Sequence, residues 1–209
     1  MQLKELFEIQ AGLDIHILKN HPVLEDDPEY SRLEKKHVAL LVELGEMMNE
    51  WRGFKFWSND QKPRIKNTCK TCEGEGVVSF YEHDKYLEKK CDDCEGTGER
   101  NYLLEELVDC LHFVLSIGLE HEFHKDVELL EIELITSHKA GKGYDINTQY
   151  IQLSQTDWDV YETGHGGYYL EGLELFLGMC EMLGFNWDEV EQAYMIKNKI
   201  NHQRQLNGY

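Results

Sequence analysis

The sequence is poor in proline, in basic residues and in long apolar runs, and each shortage excludes a class of protein. Only three of the 209 residues are proline, so long segments can stay helical. Lysine and arginine number 21 against 40 aspartates and glutamates, and this net charge of −19 disfavours binding to nucleic acid polymers. No stretch approaches the roughly 18 apolar residues of a membrane span. The N-terminal segment lacks the pattern of a secretory signal, so we expect a cytoplasmic protein without a membrane partner.

Helical periodicity is the main pattern that the sequence does contain. Apolar residues recur at three- and four-residue steps in several segments, and this spacing is typical of amphipathic helices. It predicts an all-α fold, a helical bundle with one small insertion. The residues from 141 to 167 include five glycines and have no clean period, so we predict a loop there. The predicted helices cover the N-terminal segment and residues 31–52, 102–122, 125–139, 168–183 and 188–205, the last with Asn186 or Asp188 as N-cap.

Four of the six cysteines form two Cys-x-x-Cys pairs, Cys69 with Cys72 and Cys91 with Cys94, separated by eighteen residues. Two such pairs can present four thiolates to one tetrahedral Zn²⁺, and four sulfur ligands leave no open position for catalysis. Each pair begins a Cys-x-x-Cys-x-Gly-x-Gly repeat that resembles those of DnaJ-type chaperones. We therefore predict that residues 63–100 form an inserted structural zinc knuckle with a short hairpin. Two unrelated dithiols, or a redox pair, are the alternatives.

The two remaining cysteines and two tryptophans have plainer predictions. Cys110 and Cys180 lie alone within apolar helical patterns, so we expect them to be small core residues. Trp158 and Trp187 are expected to anchor the core or an interface rather than to stack on a ligand.

Acidic residues are paired one helical turn apart on the two central predicted helices. Glu43 and Glu46 share a face of the first helix, and Glu106 and Asp109 share a face of the second. If the helices pack antiparallel, the four carboxylates converge among apolar neighbours, and their mutual repulsion requires cations. Several carboxylate oxygens with open positions suit Mg²⁺. Because such pairs also occur on solvated helix faces, a plain charged surface is the alternative.

Hydrogen-bond donors cluster near the C-terminus of this acidic chain. Lys197, Asn201 and Arg204 follow one helical stripe. Such a stripe suits a phosphate chain that is bridged by Mg²⁺ on its other side. A charged terminal helix is the alternative.

The order of these motifs resembles that of the all-α dimeric dUTPase family, relatives of the MazG-type pyrophosphatases. The resemblance implies a homodimeric enzyme that hydrolyses dUTP to dUMP and pyrophosphate with Mg²⁺. It does not cover residues 63–100, and it covers residues 141–167 poorly. The matching segments are residues 9–14, 43–46, 54–57, 105–113 and 197–209.

The resemblance also implies roles for individual residues. Glu43, Glu46, Glu106 and Asp109 would hold two or three Mg²⁺ ions, and Glu43 would deprotonate the attacking water. Gln10 and Asp14 match positions that bind the base and sugar, and Trp57 matches an aromatic wall of the nucleoside pocket. His112 and Phe113 match positions beside the deoxyribose, where Phe113 would exclude a 2′-hydroxyl. The residues that match the phosphate-binding end are Lys197, Asn201, Arg204 and Tyr209.

Two other functions remain open from the sequence. The same fold could act on dCTP or more broadly on nucleoside triphosphates. A function of another class is a zinc-dependent protein-binding module, and in a weaker form the knuckle adds a protein-partner surface to an enzyme. We expect residues 1–62 and 101–209 to form the catalytic domain. The apolar richness of residues 102–119 further suggests a helix buried in a dimer interface.

Overall fold

The computed structural model describes residues 3–22, 32–125, 141–158 and 167–208. Within these ranges the chain is mostly helical, which confirms the predicted all-α class. None of the helices in the described ranges combines the length and the apolar character needed to cross a bilayer. The helices are α1 (Leu3–Asn20), α2 (Arg32–Trp51), α3 (Tyr102–Glu120), α4 (Ile146–Gln155), α5 (Gly167–Met182) and α6 (Trp187–Leu206). The strands are β1 (Asn67–Thr68), β2 (Val77–Glu82), β3 (Lys85–Lys90) and β4 (Glu99–Arg100).

Helix α3 is the centre of the bundle. It packs against α1, α2, α5 and α6, and it begins at Asn101, whose side chain accepts a hydrogen bond from the Leu104 amide (3.1 Å). Leu107, Leu111 and Val114 are buried by these neighbours, as is Cys110. The apolar richness of this helix is therefore explained by the protomer's own core and does not itself indicate a dimer interface.

Helices α2 and α3 run antiparallel, as the convergence of the acidic pairs requires. The N-terminal part of α2 lies beside the C-terminal part of α3, where the ammonium of Lys36 donates to Glu120 Oε1 (2.6 Å). Further along, oxygens of Glu43 and Asp109 approach each other within 4.8 Å. The two helices thus face each other over most of their lengths and form the floor of the candidate site.

The loop predicted over residues 141–167 is wrong in part, because it contains helix α4. Asp145 is the N-cap, and its carboxylate accepts a hydrogen bond from the Thr148 amide (2.8 Å). Gln149 and Leu153 are buried one turn apart, and Gln149 donates to backbone carbonyls of Gly141 and Leu175. Polar residues at most other positions hid this short helical period.

Two local predictions are confirmed elsewhere in the bundle. Asn186 caps α6 in a capping box, in which its side chain accepts from the Glu189 amide (3.0 Å) and its amide donates to Glu189 Oε2 (2.9 Å). Cys180 and Trp158 are buried in the core, and Trp187 packs against it. The helix predicted over 125–139 lies, apart from its first residue, outside the described residues.

Candidate active site and metal centres

Three of the four predicted carboxylates meet between α2 and α3. One oxygen from each of Glu43, Glu106 and Asp109 lies within 4.8 Å of the others, and all three side chains are half-buried. The fourth, Glu46, lies one turn further along α2 and is exposed, yet its charge reaches both Glu43 and Glu106. This donor set of closely spaced carboxylates suits a hard divalent cation such as Mg²⁺.

The carboxylates of this cluster resist ionisation together. Burial, joined by repulsion from Asp109 and Glu46, raises the pKa of Glu43 to about 7. Burial and the charge of Asp109 likewise raise the pKa of Glu106 to about 7. The pKa of Asp109 is also raised by burial, although the neighbouring Lys197 opposes the rise. Without a cation, the cluster therefore retains protons near neutral pH.

Helix α6 supplies the cation that contacts the cluster. The Lys197 ammonium donates to Asp109 Oδ2 at 2.5 Å, and both side chains are largely buried. One and two turns further along α6, Asn201 and Arg204 line the neighbouring cavity, and the charge of Arg204 acts on Asp109. Three of the residues predicted to bind phosphate are thus brought beside the carboxylates.

A cavity of about 700 Å³ extends from the carboxylates along α2 and α3. Glu43 and Asp109 line one part of it, and Lys36 and Ser116 line another, two helical turns away on their helices. Two turns correspond to about 10 Å. His112 and Phe113 line the cavity between these ends, so that it is long enough for a nucleoside beside a phosphate chain.

A buried hydrogen-bond network fixes the orientation of Gln10. Its Nε2 donates to Asp14 Oδ1 (2.7 Å), since a carboxylate oxygen can only accept from it. Its Oε1 accepts from the Tyr194 hydroxyl (2.9 Å) and therefore also from Nδ1–H of His112 (2.8 Å). Burial, joined by the charge of Lys197, lowers the pKa of His112 to about 3, so the imidazole is neutral.

The neutral tautomer of His112, a residue that lines the cavity, leaves one buried hydrogen-bond acceptor unpaired within the described ranges. Because Nδ1 carries the proton, Nε2 is unprotonated, and it has no hydrogen-bond partner among the described residues. The ring stacks on Tyr194 with centroids 4.4 Å apart, which holds its plane. A ligand that donates a hydrogen bond at this position would satisfy a buried atom that is otherwise unpaired.

An ion-pair network that the sequence reasoning missed closes the far end of the cavity. Asp14 Oδ2 accepts from Lys36 (2.9 Å) and from the hydroxyl of Ser116 (2.5 Å). Lys36 also pairs with Glu120, and Arg32 does the same. Although burial opposes ionisation, hydrogen bonds from Arg32 and Lys36 lower the pKa of Glu120. A pattern in the sequence could have indicated this network. Polar residues recur at three- and four-residue steps along the otherwise apolar α3, at Asp109, His112, Ser116 and Glu120.

One of the predicted substrate residues, Trp57, is not brought into the cavity. Trp57 is 66% exposed, makes edge-to-face contacts with Phe54 (5.7 Å between centroids) and Phe56 (5.0 Å), and does not line the cavity. Tyr209 lies outside the described residues. Within the described protomer, the aromatic side chain that faces the cavity is Phe113 instead.

The four paired cysteines form a second candidate metal centre. Their sulfur atoms lie within 4.8 Å of one another, and the Sγ–Sγ distances of 3.9 Å for Cys69 with Cys91 and 3.6 Å for Cys72 with Cys94 are too long for disulfides. All four are buried, although the surrounding chain is exposed. Four close cysteines of this kind could bind a metal such as zinc.

Glycines complete the cysteine turns. The amides of Gly76 and Gly98 donate to the sulfurs of Cys72 (3.2 Å) and Cys94 (3.3 Å). Both glycines have positive φ angles, +74° and +75°, and a Cβ on either would collide with a backbone carbonyl of the other repeat. Strands β2 and β3 form the predicted hairpin between the repeats, and β1 pairs with β4 at the base. We call residues 64–100 the tetracysteine module.

The comparisons with known proteins support the resemblance. A family model described as dUTPase matches residues 2–71 and 93–209. The chain belongs to the dUTPase family. This membership indicates a nucleotide hydrolase, and the carboxylate cluster and cavity both lie within the matched part of this dUTPase-family chain. The unmatched residues 72–92 contain Cys72 and Cys91, whereas Cys69 and Cys94 lie within the matched residues. The expectation that the resemblance would not cover residues 63–100 is therefore wrong at both ends of that segment. A search of curated proteins found no match.

Proposed function

We propose that this chain hydrolyses dUTP to dUMP and pyrophosphate. The observation that carries the proposal is a cavity, in a chain of the dUTPase family, that joins a carboxylate cluster to a buried polar wall. The cluster suits a metal-bound triphosphate, and the wall offers hydrogen bonds to a nucleoside. A structural scaffold would give no reason to hold three repelling carboxylates beside a cavity.

Glu43, Glu46, Glu106 and Asp109 would hold the Mg²⁺ ions. The fit is supported by the raised pKa values of Glu43 and Glu106, because a divalent cation offsets both the cost of burying their charges and the repulsion from the neighbouring carboxylates. When bound, Mg²⁺ supplies charge neutralisation of the triphosphate and activation of water. We propose two or three ions per site.

The protein's own residues supply the proton transfer and the binding of the leaving group. A water oxygen forms a bond to the α-phosphorus, and the bond from that phosphorus to the bridging oxygen breaks, so that the electron pair leaves with pyrophosphate. Glu43, which lines the cavity beside Asp109, accepts the proton of the water. Lys197 and Arg204 bind the departing charge, and Asn201 donates to a phosphate oxygen.

The opposite part of the cavity would bind the nucleoside. Gln10, fixed through Asp14 and Tyr194, keeps one Nε2 hydrogen for the base, and His112 Nε2 accepts a hydrogen bond from the substrate. Phe113 would lie against the deoxyribose and exclude a 2′-hydroxyl. We retain Trp57 and Tyr209 as substrate-binding residues that would join the site when the substrate is bound.

The tetracysteine module would hold one structural Zn²⁺. Its four buried sulfurs match the ligand set of closed zinc sites, and a cluster of reduced thiols suits the cytoplasm. We propose that residues 1–62 and 101–209 form the catalytic domain and that residues 63–100 form an inserted zinc-binding knuckle. The exposed hairpin of this knuckle is where a protein partner would bind.

A homodimer is the proposed assembly. On α2, Val38 and Val42 are 61% and 51% exposed, next to the partly exposed Leu41. These residues form an apolar strip that turns away from the protomer's core. A second copy would cover this strip, and analytical ultracentrifugation of Val38→Glu against the unchanged protein tests that arrangement.

A nucleotide panel tests the proposed reaction. The protein is incubated with dUTP, dCTP, dTTP, dATP, dGTP and UTP in the presence of Mg²⁺, and released pyrophosphate is measured. We expect dUTP to react fastest and UTP slowly. Asp109→Asn should abolish turnover, whereas Glu181→Gln, a charge-matched change on α5, should not. A preference for dCTP would support the proposed hydrolysis but overturn the proposed preference for uracil. If no nucleotide releases pyrophosphate, the proposed function is overturned.

A further inference from the structure

We propose that the tetracysteine module positions the catalytic carboxylates by bracing the end of α2 against the start of α3. This inference rests on the proposed metal binding by those carboxylates. It concerns Arg64 and Arg100, two residues of the module that the proposed reaction does not use. Both reach the helices that carry the cluster.

Arg64 connects both helices at once. Its guanidinium pairs with Glu50 near the end of α2 (3.0 Å to Oε1), and its amide donates to the carbonyl oxygen of the same residue (3.0 Å). Its own carbonyl accepts from the Leu103 amide at the start of α3 (3.3 Å). Arg64 thus binds the end of α2 through its side chain and amide and the start of α3 through its carbonyl oxygen, so that one residue joins the two helix ends.

Arg100 fixes the first turn of α3. Its Nε donates to Glu105 Oε1 (2.8 Å) while its Nη2 donates to Glu105 Oε2, a two-point pairing that sets orientation as well as distance. The guanidinium also lies over the Tyr102 ring, with 5.1 Å to the centroid. Asn67 of the paired strand β1 donates to the Arg100 carbonyl (3.4 Å), so this arginine is held from the side of the module as well.

The cysteine cluster closes the strand pair that carries these contacts. The Cys69 amide donates to the Gly98 carbonyl (2.8 Å), directly beside the pairing of β1 with β4. This short pair has two residues in each strand and would not be stable alone. Metal binding by the four sulfurs would hold it closed and keep Arg100 in place.

The braced residues are close in sequence to the metal ligands. Glu50 is one helical turn from Glu46, about 6 Å along the helix. Glu105 directly precedes Glu106. A small shift between the two helix ends would therefore change the spacing of carboxylates from α2 relative to those from α3, and divalent cation affinity depends on that spacing.

The sign of the effect separates bracing from simple electrostatics. Removing an arginine near the cluster makes its surroundings more negative, and this change alone would strengthen cation binding. Loss of a brace would weaken it. A weaker affinity after removal of positive charge is therefore explained by geometry and not by charge.

The experiment measures Mn²⁺ binding to the zinc-loaded protein by isothermal titration calorimetry, without nucleotide. Arg64→Gln combined with Arg100→Gln is compared with Lys66→Gln combined with Lys89→Gln. The control removes the same number of positive charges. It breaks two ion pairs inside the module, Lys66 with Glu99 and Lys89 with Asp92, neither of which contacts α2 or α3. We expect about fivefold weaker Mn²⁺ binding in the arginine variant, the scale of partly exposed ion pairs, and no weakening in the control.

Other outcomes overturn the inference. Unchanged or tighter binding in the arginine variant would show that the guanidinium groups of Arg64 and Arg100 do not position the cluster, and so would equal weakening in the control. If the arginine variant does not fold by circular dichroism, Arg100→Lys keeps the charge but not the two-point pairing, and it must still weaken Mn²⁺ binding. If the unchanged protein binds no Mn²⁺, there is no site to brace. Normal Mn²⁺ binding with no pyrophosphate release from any nucleotide would instead refute the proposed reaction alone.

Discussion

Buried His112 should cost the protein stability in mild acid. Burial, with the charge of Lys197, lowers the pKa of the imidazole from 6.5 to about 3, and the side chain is only 5% exposed. Below pH 6.5 the imidazole of His112 binds a proton in the unfolded chain but stays neutral in the folded protein. The contribution of His112 to stability is therefore complete above pH 6.5 and is lost as the pH falls toward 3. At pH 5 the loss is about 2 kcal/mol, from about 1.4 kcal/mol per pH unit.

Urea unfolding of the unchanged protein and of His112→Gln at pH 7.5 and pH 5 measures this loss. Glutamine can still donate to Gln10 Oε1 but does not titrate. The other titrating groups are shared, so they cancel when the pH-dependent losses of the two proteins are compared. We expect the unchanged protein to lose about 2 kcal/mol more free energy of unfolding than the variant between the two pH values.

Parallel pH dependences in the two proteins would refute the reasoning. So would a His112 imidazole that titrates near pH 6.5 when observed by nuclear magnetic resonance. Either result would show that the His112 imidazole can take up a proton in mild acid, which would add a charge to the polar wall of the cavity. The prediction therefore tests the nucleoside end of the site without using any nucleotide.

The remaining predictions concern the two metal centres. Glu46→Gln and Asp109→Asn should keep the helical circular dichroism spectrum but lower kcat at least about a hundredfold, because each removes a metal-binding carboxylate, and near-normal turnover in both would discard the site. In metal-free buffer, Glu43→Gln should be roughly 1–2 kcal/mol more stable than the unchanged protein at pH 8, after discounting for its half-exposed position. Because the pKa of Glu43 is raised to about 7, its contribution to the free energy of unfolding is present below pH 4.5 and is lost as the pH rises through 7. The stability difference between the variant and the unchanged protein should therefore shrink toward pH 5. A difference that stays constant with pH would contradict this prediction. Cys69→Ser should lower zinc from about one to under half an atom per chain by mass spectrometry, and unchanged zinc content would contradict the tetracysteine site.

The spacing of residues predicted the parts of the site that lie on regular helices. Glu43 and Asp109 could be placed on facing helices because a three-residue step fixes a shared face whatever the rest of the fold does. The cysteine pairs were equally informative, since the chemistry of four thiolates restricts their arrangement. In both cases a local rule restricts which side chains can share a site, and the packing of α2 against α3 then decides which carboxylates meet.

Other features depend on packing that spacing does not encode. The contacts among Asp14, Lys36 and Glu120 join three helices, and each residue alone is typical of a charged surface. Helix α4 was missed because one of its two buried side chains, Gln149, is polar. The amide of Gln149 is buried because it donates hydrogen bonds to the carbonyl oxygens of Gly141 and Leu175, and an apolar pattern does not reveal such a residue. Trp57 could be aligned with a motif, but its position relative to the cavity depends on the conformation of the segment that follows α2.

The acidic net charge and a phosphorylated substrate are reconciled by where the charges lie. A nucleic acid polymer would have to meet the exposed surface, on which carboxylates outnumber cations. A single triphosphate instead would enter a cavity whose lining includes Lys35 and Arg204 as well as Glu43 and Asp109. In the cavity, the carboxylates would help to bind the phosphates once a divalent cation is bound between the two groups, because the cation reverses the sign of the local electric field. Under the proposed function, the same acidity would disfavour the polymer and, with a divalent cation bound, would accept a short phosphate chain.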